Sequence, residues 1–317
     1  MTKNFKIKNN LILLLKFLLF TLSCFLIYKN ISNEKNIYKI FQDVDLKYIF
    51  FIFILSTLII FVQIFIQFKT FLHTKNIKIS FGYYSKIFFN SQMLSIILPH
   101  SGLFYKAYKL NKFGLLYKDF INIKLFLAWF YLCFLILLYS IEILIFGYEI
   151  LKNFVFIIFF FGFLVSSSIF IIPHIFKKYI YINFKNKILL KIFKLLSNIV
   201  LSPLNYNKGK FFHFLISYGF ISHILSFVVI YLLFLSLNIN LSFSVIVLFF
   251  VMNSFLDQIP ITPRNLAVSE LIFGIVSSQI GLGFEFGVVV KLFLRLFFFA
   301  NLTMLSIIYN VVNHKKI

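Results

Sequence analysis

Long apolar stretches recur along the whole chain and are separated by short polar segments rich in lysine. The stretches cover residues 11–28, 48–68, 81–98, 120–147, 154–176, 212–237, 243–256, 266–280 and 284–312. Most approach or exceed the ~20 residues that an α-helix needs to cross a bilayer. The short alternating segments of a membrane β-barrel are absent. The pattern therefore predicts an all-α, polytopic membrane protein with about 7–9 hydrophobic segments.

Composition agrees with this fold class. Hydrophobic residues make up 61% of the 317 positions and charged residues 13%, whereas soluble domains hold about 45–50% and about 25%. No soluble stretch or Pro/Gly/Ser-rich linker interrupts the pattern, so residues 1–317 are predicted to form one integral membrane domain. Within it, residues 177–211 place lysines at helical spacing, which predicts either an amphipathic helix on the inner leaflet or a helical connector with one hydrated face.

The net charge of +22 comes from lysines in the gaps between apolar stretches. Three, three, four and eight lysines fall before residue 11 and within 69–80, 100–118 and 177–211, which marks these segments as cytoplasmic under the positive-inside rule. Both termini are therefore predicted to be cytoplasmic. Because no basic face exists outside these loops, nucleic acid is not expected as a partner.

Successive membrane spans must place the segments between them on alternating sides of the membrane. The lysine-rich segments fit this rule only if 81–98 enters and leaves on the cytoplasmic side, as a re-entrant hairpin with the helix after Pro99. The stretches 243–256 and 266–280 are each nearer to half a span. They form either one external re-entrant hairpin or two short spans, and both arrangements leave the C-terminus inside.

Two interruptions of the apolar pattern have the same order of features, "SIILPHSGLFYKAYKL" and "FLDQIPITPRNLAVSELI". Each runs from an apolar helix through proline and a polar patch into a new helix, and proline breaks the preceding helix. At membrane depth a broken backbone survives only inside protein or along a water-filled cavity. Paired interruptions point to a binding site in transporters. The residues predicted to line such a cavity are Pro99, Gly102, Pro260, Thr262 and Pro263.

Asp257, Arg264 and Glu270 would together cost roughly 8–10 kcal/mol if they faced lipid, so they must be paired, hydrated or interfacial. If Thr262 caps a helix with Pro263 at its first position, that helix aims its N-terminal amides at an anion site.

Only two of the 31 basic residues are arginines, Arg264 and Arg295. The planar guanidinium binds phosphate bidentately, which lysine does not. Lys291 lies four residues before Arg295 on the same helix face. We therefore predict a site for an anionic lipid headgroup; the alternative is that these charges join the last helices through buried ion pairs. The predicted headgroup residues are Arg264, Arg295, Lys291, Glu270, Asp257, Asn265 and Lys106.

Other polar residues give weaker signals. Lys124 and Glu142 lie near the ends of their apolar stretch, where long side chains extend to the interface. Gln63 and Gln67, one turn apart, are expected to bond a neighbouring helix. Cys24 and Cys133 stand alone in apolar stretches. We expect no metal, no cofactor and no catalytic residue.

The stretch "IPITPRNLAVSELIFG" resembles the flippase-like family named for the lysylphosphatidylglycerol synthase membrane region. That family carries I-P-x-[ST]-P-G-[GN]-[LI]-G-x-R-E near its C-terminus. Seven residues here match it: Ile259, Pro260, Thr262, Pro263, Asn265, Leu266 and Glu270. Arg264 and Ala267 stand where the family has glycines, and Ser269 stands where it has arginine. An earlier family feature is similar to Pro99, Gly102, Lys106 and Leu110.

The resemblance implies a membrane domain with two re-entrant helix pairs around a central cavity, in the cytoplasmic (inner) membrane of a prokaryote. It implies translocation of an anionic phospholipid, or a polyprenyl lipid or glycolipid, between leaflets. Some members add an aminoacyl-transferase domain, which is not expected here. The sequence holds no G-x-x-x-x-G-K-[ST] loop, so any nucleotide drive would come from another chain.

Two other functions stay open. One is a membrane-embedded transferase acting on a lipid, although the nine acids are scattered and form no DxxD or HxxxD pattern. The other is a non-transporting scaffold of a glycolipid assembly pathway. The expected partners are membrane lipids with anionic headgroups and, as a candidate, a lipid-synthesis enzyme.

Overall fold

The protein is helical throughout the part that the structure describes. A computed structural model describes residues 18, 20–30, 44–75, 78–97, 101–146, 209–258 and 265–312, and these residues contain no β-strand. Residues 20–30 are helical. The helices with complete bounds are α1 (Leu46–Lys75), α2 (Phe81–Ile97), α3 (Ser101–Asn111), α4 (Tyr117–Phe146), α5 (Gly209–Ser236), α6 (Phe243–Gln258), α7 (Val268–Gln279) and α8 (Phe284–Val312).

Four of these helices are long and apolar enough to cross a membrane: Leu46–His73, Tyr117–Glu142, Lys210–Ser236 and Phe284–Val311. Each holds 26 to 28 residues. At 1.5 Å per residue, each spans about 40 Å, more than the ~30 Å hydrocarbon layer. The chain is a polytopic helical membrane protein, as its hydrophobic pattern predicted.

The remaining helices are too short to cross a bilayer alone and form two consecutive pairs. The pair α2 and α3 holds 17 and 11 residues, and the pair α6 and α7 holds 16 and 12. A proline-containing break separates the members of each pair in the sequence. These are the two broken pairs that the interruptions predicted.

The described residues group into two compact units, which interleave along the chain. The first unit draws on Met1–Ile59, Phe89–Gly102 and Leu225–Ile317, and the second on Ile60–Phe88 and Leu103–Ile224. The predicted amphipathic segment 177–211 lies almost wholly outside the described residues.

In the first unit, aromatic packing joins α5, α6, α7 and α8. The ring of Phe234 contacts those of Phe249 and Phe286, and Phe249 also contacts Phe273, with ring centroids 5.2 to 6.0 Å apart. Rings at such spacing contribute beyond the area that they bury. Asn301 on α8 adds a polar link, because its amide donates to Ser56 Oγ on α1.

Within the same unit, the start of α3 folds back on α2. Ser101 Oγ donates to the carbonyl oxygen of Leu94 over 2.7 Å. Gly102 is buried against the carbonyl oxygen of Ser91, where any Cβ would overlap that oxygen. Glycine is therefore required at this approach of two backbones.

In the second unit, α1, α4 and α5 share an aromatic core. Phe71 and Phe120 stack with their ring planes 1° apart, and Phe130 meets Phe212 edge-on. Gly219 on α5 contacts the ring of Phe134. This packing positions Gln67 of α1 and Lys124 of α4, which are described below.

Candidate functional site

The first turn of α7 follows a backbone that only a few residue types adopt easily. Asn265 and Ala267 have positive φ angles of 54° and 66°. The helix begins at Val268 with Ala267 at its N-cap, and no side chain caps it. The predicted cap by Thr262, with Pro263 in the first turn, is therefore wrong for α7, because these left-handed residues separate Pro263 from the helix.

Asn265 ties this turn to α6. Its side-chain amide donates to the carbonyl oxygen of Leu256, close to the end of α6. Asparagine is one of the few non-glycine residues that tolerate a left-handed backbone. The bond fixes where α7 starts relative to α6, and so it fixes where Ser269 and Glu270 lie.

A buried ion pair then joins α7 to α8. Arg295 Nη2 lies 2.9 Å from Glu270 Oε1, with 11% and 5% of the two side chains exposed. The same nitrogen donates to Ser269 Oγ over 2.9 Å. The Ser269 hydroxyl has the Asn265 carbonyl oxygen at 2.9 Å and Glu270 Oε2 at 3.1 Å as acceptors. Arginine, serine and glutamate thus form one connected polar network.

Lys291 lies one turn before Arg295 on α8 and is buried. Its Nζ donates to Asn253 Oδ1 of α6 over 2.5 Å and lies 5.4 Å from the ring centroid of Phe273 on α7. Ser269, Glu270, Lys291 and Arg295 thus lie together at the contact of α7 and α8, and we call them the α7–α8 charge cluster.

The second unit holds a different set of cations. Lys106 of α3 and Lys124 of α4 both donate to Gln67 Oε1 of α1, over 3.2 and 2.7 Å. Lys124, which the sequence places near the end of its apolar stretch, thus has the Gln67 amide of a neighbouring helix as a partner. The expectation that Gln67 bonds neighbouring helices is confirmed.

Glu142 of α4 also has an internal partner. Its Oε1 lies 2.8 Å from His223 Nε2 of α5, and the His223 ring lies 5.5 Å from that of Tyr139. His223 provides the partner that decides its position, and this partner is 81 residues away in the sequence.

The structure brings some of the predicted headgroup residues together. Glu270 and Arg295 form the ion pair, Lys291 lies one turn away on α8, and the carbonyl oxygen of Asn265, just before α7, accepts from Ser269 Oγ. Lys106 lies in the second unit with Gln67. The rest fall outside the described set: Arg264, Pro99, Pro260, Thr262, Pro263 and the side chain of Asp257.

Residues 13–306 match the family described as "Lysylphosphatidylglycerol synthase TM region". The chain belongs to this family. The match covers nearly all of the 317 residues and includes every helix of both units except the end of α8. Comparison with curated proteins finds no match, and comparison with solved structures finds none either.

At two positions this chain departs from the motif of the lysylphosphatidylglycerol synthase TM region family, and the structure shows what surrounds the residue at each. Position 267 carries glycine in the motif and has a φ of 66° in this chain, so an alanine occupies a backbone that glycine adopts without strain. Position 269 carries arginine in the motif, and here Arg295 donates to the serine at that position. A guanidinium is thus present beside residue 269, although it comes from α8.

One member of the cluster, Ser269, and two contacts of Lys291, Asn253 and Phe273, escaped prediction from the sequence. Ser269 is fully buried and central to the network, and its only signal was its place in the family motif. Asn253 was detectable as an amide in an otherwise apolar stretch. Phe273 had no signal, because phenylalanine occurs 49 times in the chain.

An apolar groove of about 360 Å³ opens on the first unit, away from these charges. It is lined by Val44, Leu46, Ile49, Phe293, Leu296, Phe297 and Ala300. Residues 293 and 295 are two positions apart, so they project from nearly opposite sides of α8. The groove therefore carries no headgroup-binding side chain.

Proposed function

We propose that this chain translocates a lipid with an anionic headgroup between the leaflets of a prokaryotic cytoplasmic membrane. The lipid is an anionic phospholipid or a polyprenyl lipid or glycolipid. The observation that carries the proposal is the α7–α8 charge cluster, which places Arg295 and Lys291 inside a membrane-spanning helix. Ionisable residues inside membrane domains are costly and mark substrate or ion pathways.

The chemistry of the cluster favours a phosphate-bearing headgroup. Arginine offers a planar fork of donors that matches two phosphate oxygens, and lysine adds a point charge one turn away. Glu270 holds the guanidinium until a headgroup arrives, and the phosphate then becomes a second counter-ion for the two cations. Arg264 and Asp257, which flank the break before α7, are assigned to the same headgroup.

The position of the cluster supports translocation rather than simple adhesion. It lies where a short helix, α7, follows a broken stretch and packs on the long helix α8. In transporters, binding sites near the midplane are built at such discontinuous helices. The headgroup would cross beside the cluster while the acyl chains stay in the bilayer.

Orientation follows from the lysine-rich segments. With residues 69–80, 100–118 and 177–211 on the cytoplasmic side, both termini are cytoplasmic. Cysteine labelling of single introduced cysteines from either side of the membrane tests this arrangement independently of flux.

The test of function uses the full chain in liposomes that contain fluorescent phosphatidylglycerol, with external quenching as the measure of flux. The informative variant is Arg295→Met with Glu270→Met. Replacing both members of a buried ion pair by apolar residues is often neutral for stability, so the double variant is expected to fold. We expect it to lose most of the flux that the wild type shows.

Asn301→Leu is the matched control, because it removes a buried polar side chain from α8 and leaves the charges intact. It is expected to keep wild-type flux. Equal flux in the wild type and in the Arg295→Met/Glu270→Met variant, with both equally folded, would remove the cluster from the pathway. Absence of flux from wild-type liposomes, relative to empty ones, would overturn translocation itself.

A further inference from the structure

The second unit contains a buried lysine, Lys106, and a half-buried lysine, Lys124, that share one neutral acceptor. Lys106 is 4% exposed. Its Nζ and that of Lys124 lie 3.2 and 2.7 Å from Gln67 Oε1, so the ammonium groups are separated by no more than those two distances together. One polar side chain from each of three helices, α1, α3 and α4, thus takes part in this contact.

The charge at this point is not balanced within the described part of the chain. No described carboxylate lies within ion-pair distance of either ammonium group. The Gln67 amide oxygen supplies only a partial negative charge, and the two cations repel each other. A buried ammonium group without a counter-ion is costly, and a bound anion would remove that cost.

A count of the hydrogen-bond donors and acceptors at this point also favours a bound anion. Each lysine carries three N–H donors, and Gln67 Oε1 is the acceptor that both lysines use in the described residues. The Tyr84 hydroxyl lies 3.5 Å from that same oxygen. Donors therefore outnumber acceptors here, and a group made only of acceptors would complete the site.

Aromatic rings form the wall next to Lys106. Its Nζ lies 4.3 Å from the ring centroid of Phe88 and 5.9 Å from that of Tyr84. These cation–π contacts keep the ammonium in place without neutralising it. The aromatic wall therefore orients Lys106 without supplying a negative charge.

We propose that Lys106, Lys124 and Gln67 form an anion site that binds a phosphate group. A phosphate has several acceptor oxygens and bridges two ammonium groups, as charge-assisted hydrogen bonds require. The group belongs either to a lipid headgroup or to free phosphate. This site shares no residue with the α7–α8 charge cluster, and its existence does not depend on whether the chain moves lipids.

The test measures binding rather than flux. The purified full chain in neutral detergent is titrated with phosphatidylglycerol, with diacylglycerol of the same acyl chains, and with inorganic phosphate. Native mass spectrometry counts the bound molecules. We expect the Lys106→Gln/Lys124→Gln variant to bind phosphate-bearing ligand at least about a hundredfold more weakly, the loss expected for two charged hydrogen bonds.

Lys112→Gln/Lys118→Gln is the matched control. It removes the same number of charges from exposed positions of the same unit, and it is expected to bind like the wild type. Phosphatidylglycerol binding without diacylglycerol binding assigns the site to a lipid headgroup. Inorganic phosphate binding without phosphatidylglycerol binding assigns it to free phosphate.

A second variant keeps the proposal testable if the double variant does not fold. Gln67→Glu has nearly the same shape and provides an internal carboxylate for both lysines. It is expected to unfold at a higher temperature than the wild type without ligand, and to bind phosphate more weakly. Wild-type binding by both Gln67→Glu and the double lysine variant would overturn the site.

Discussion

Arg295 of α8 donates from Nη2 to the hydroxyl of Ser269 on α7, over 2.9 Å. In the family motif, position 269 is the arginine that precedes the glutamate corresponding to Glu270. The guanidinium in this chain therefore lies beside the same glutamate, but it is supplied by a residue 26 positions later in the sequence. A guanidinium thus lies beside Glu270 in this chain, although residue 269 itself is serine.

This relationship predicts that an arginine at position 269 restores stability lost when Arg295 is replaced. Arg295→Met alone leaves Glu270 buried without its counter-ion and should cost about 3–5 kcal/mol of stability. Adding Ser269→Arg places a guanidinium at the motif position, in space that the shorter methionine partly frees. The Ser269→Arg/Arg295→Met variant should recover much of the lost unfolding temperature, measured by heating in detergent micelles.

Ser269→Arg in the wild-type background is the control for the rescue. It puts two guanidinium groups beside one carboxylate in a buried site, and it should be destabilising on its own. If the double variant is no more stable than Arg295→Met, the arginine at 295 is not a substitute for the motif arginine.

The ion pair itself should matter more than the serine that bridges it. Glu270→Gln keeps the shape of the side chain but leaves Arg295 charged and without its carboxylate, which should cost about 3–5 kcal/mol. Ser269→Ala removes a neutral acceptor and should cost only about 1 kcal/mol. Denaturation midpoints in detergent micelles give the comparison. Equal losses for the two variants would show that the carboxylate is not the main counter-ion of Arg295.

The fold was largely predictable because long apolar stretches can only be spans. The sequence predicts a helix over 284–312, and α8 is Phe284–Val312; it predicts 212–237, and α5 is Gly209–Ser236. Prolines located both broken pairs, since proline removes a backbone donor. These are local signals, and they need no knowledge of tertiary partners.

The site was less predictable, because partners on other helices decide where a polar side chain lies. Lys124 and Glu142 each looked interfacial, and the structure gives them internal partners in Gln67 and His223. The apolar stretch 266–280 located α7, which is Val268–Gln279, but Thr262 is not its N-cap. The sequence favours Pro263 as a first helical residue, but the left-handed backbone at Ala267 delays the helix.

The positive φ angle of Ala267 predicts how a glycine at this position changes the stability of the protein. Ala267 has a φ of 66°, where a Cβ crowds the following carbonyl group at a cost of about 1–2 kcal/mol. Ala267→Gly removes the crowding, so it should raise the free energy of unfolding by about 1 kcal/mol. Ala107→Gly in the middle of α3 is the control, and it should lower that free energy by a similar amount. A loss of stability in Ala267→Gly would contradict the left-handed turn.

The hairpin of α7 and α8 depends on two glycines that let the helices approach closely. A Cβ on Gly287 would overlap the carbonyl oxygen of Phe273, and one on Gly274 would overlap the ring of Phe284. Gly287→Ala should therefore cost about 1–3 kcal/mol, because the backbone of α7 must move and carry Glu270 away from Arg295. Gly82→Ala is the control, since nothing lies within 4 Å of its Cβ and alanine favours a helix more than glycine does. Thermal unfolding in detergent measures the stability of both variants. A Gly287→Ala variant as stable as Gly82→Ala would show that α7 and α8 are not in close backbone contact at Gly287.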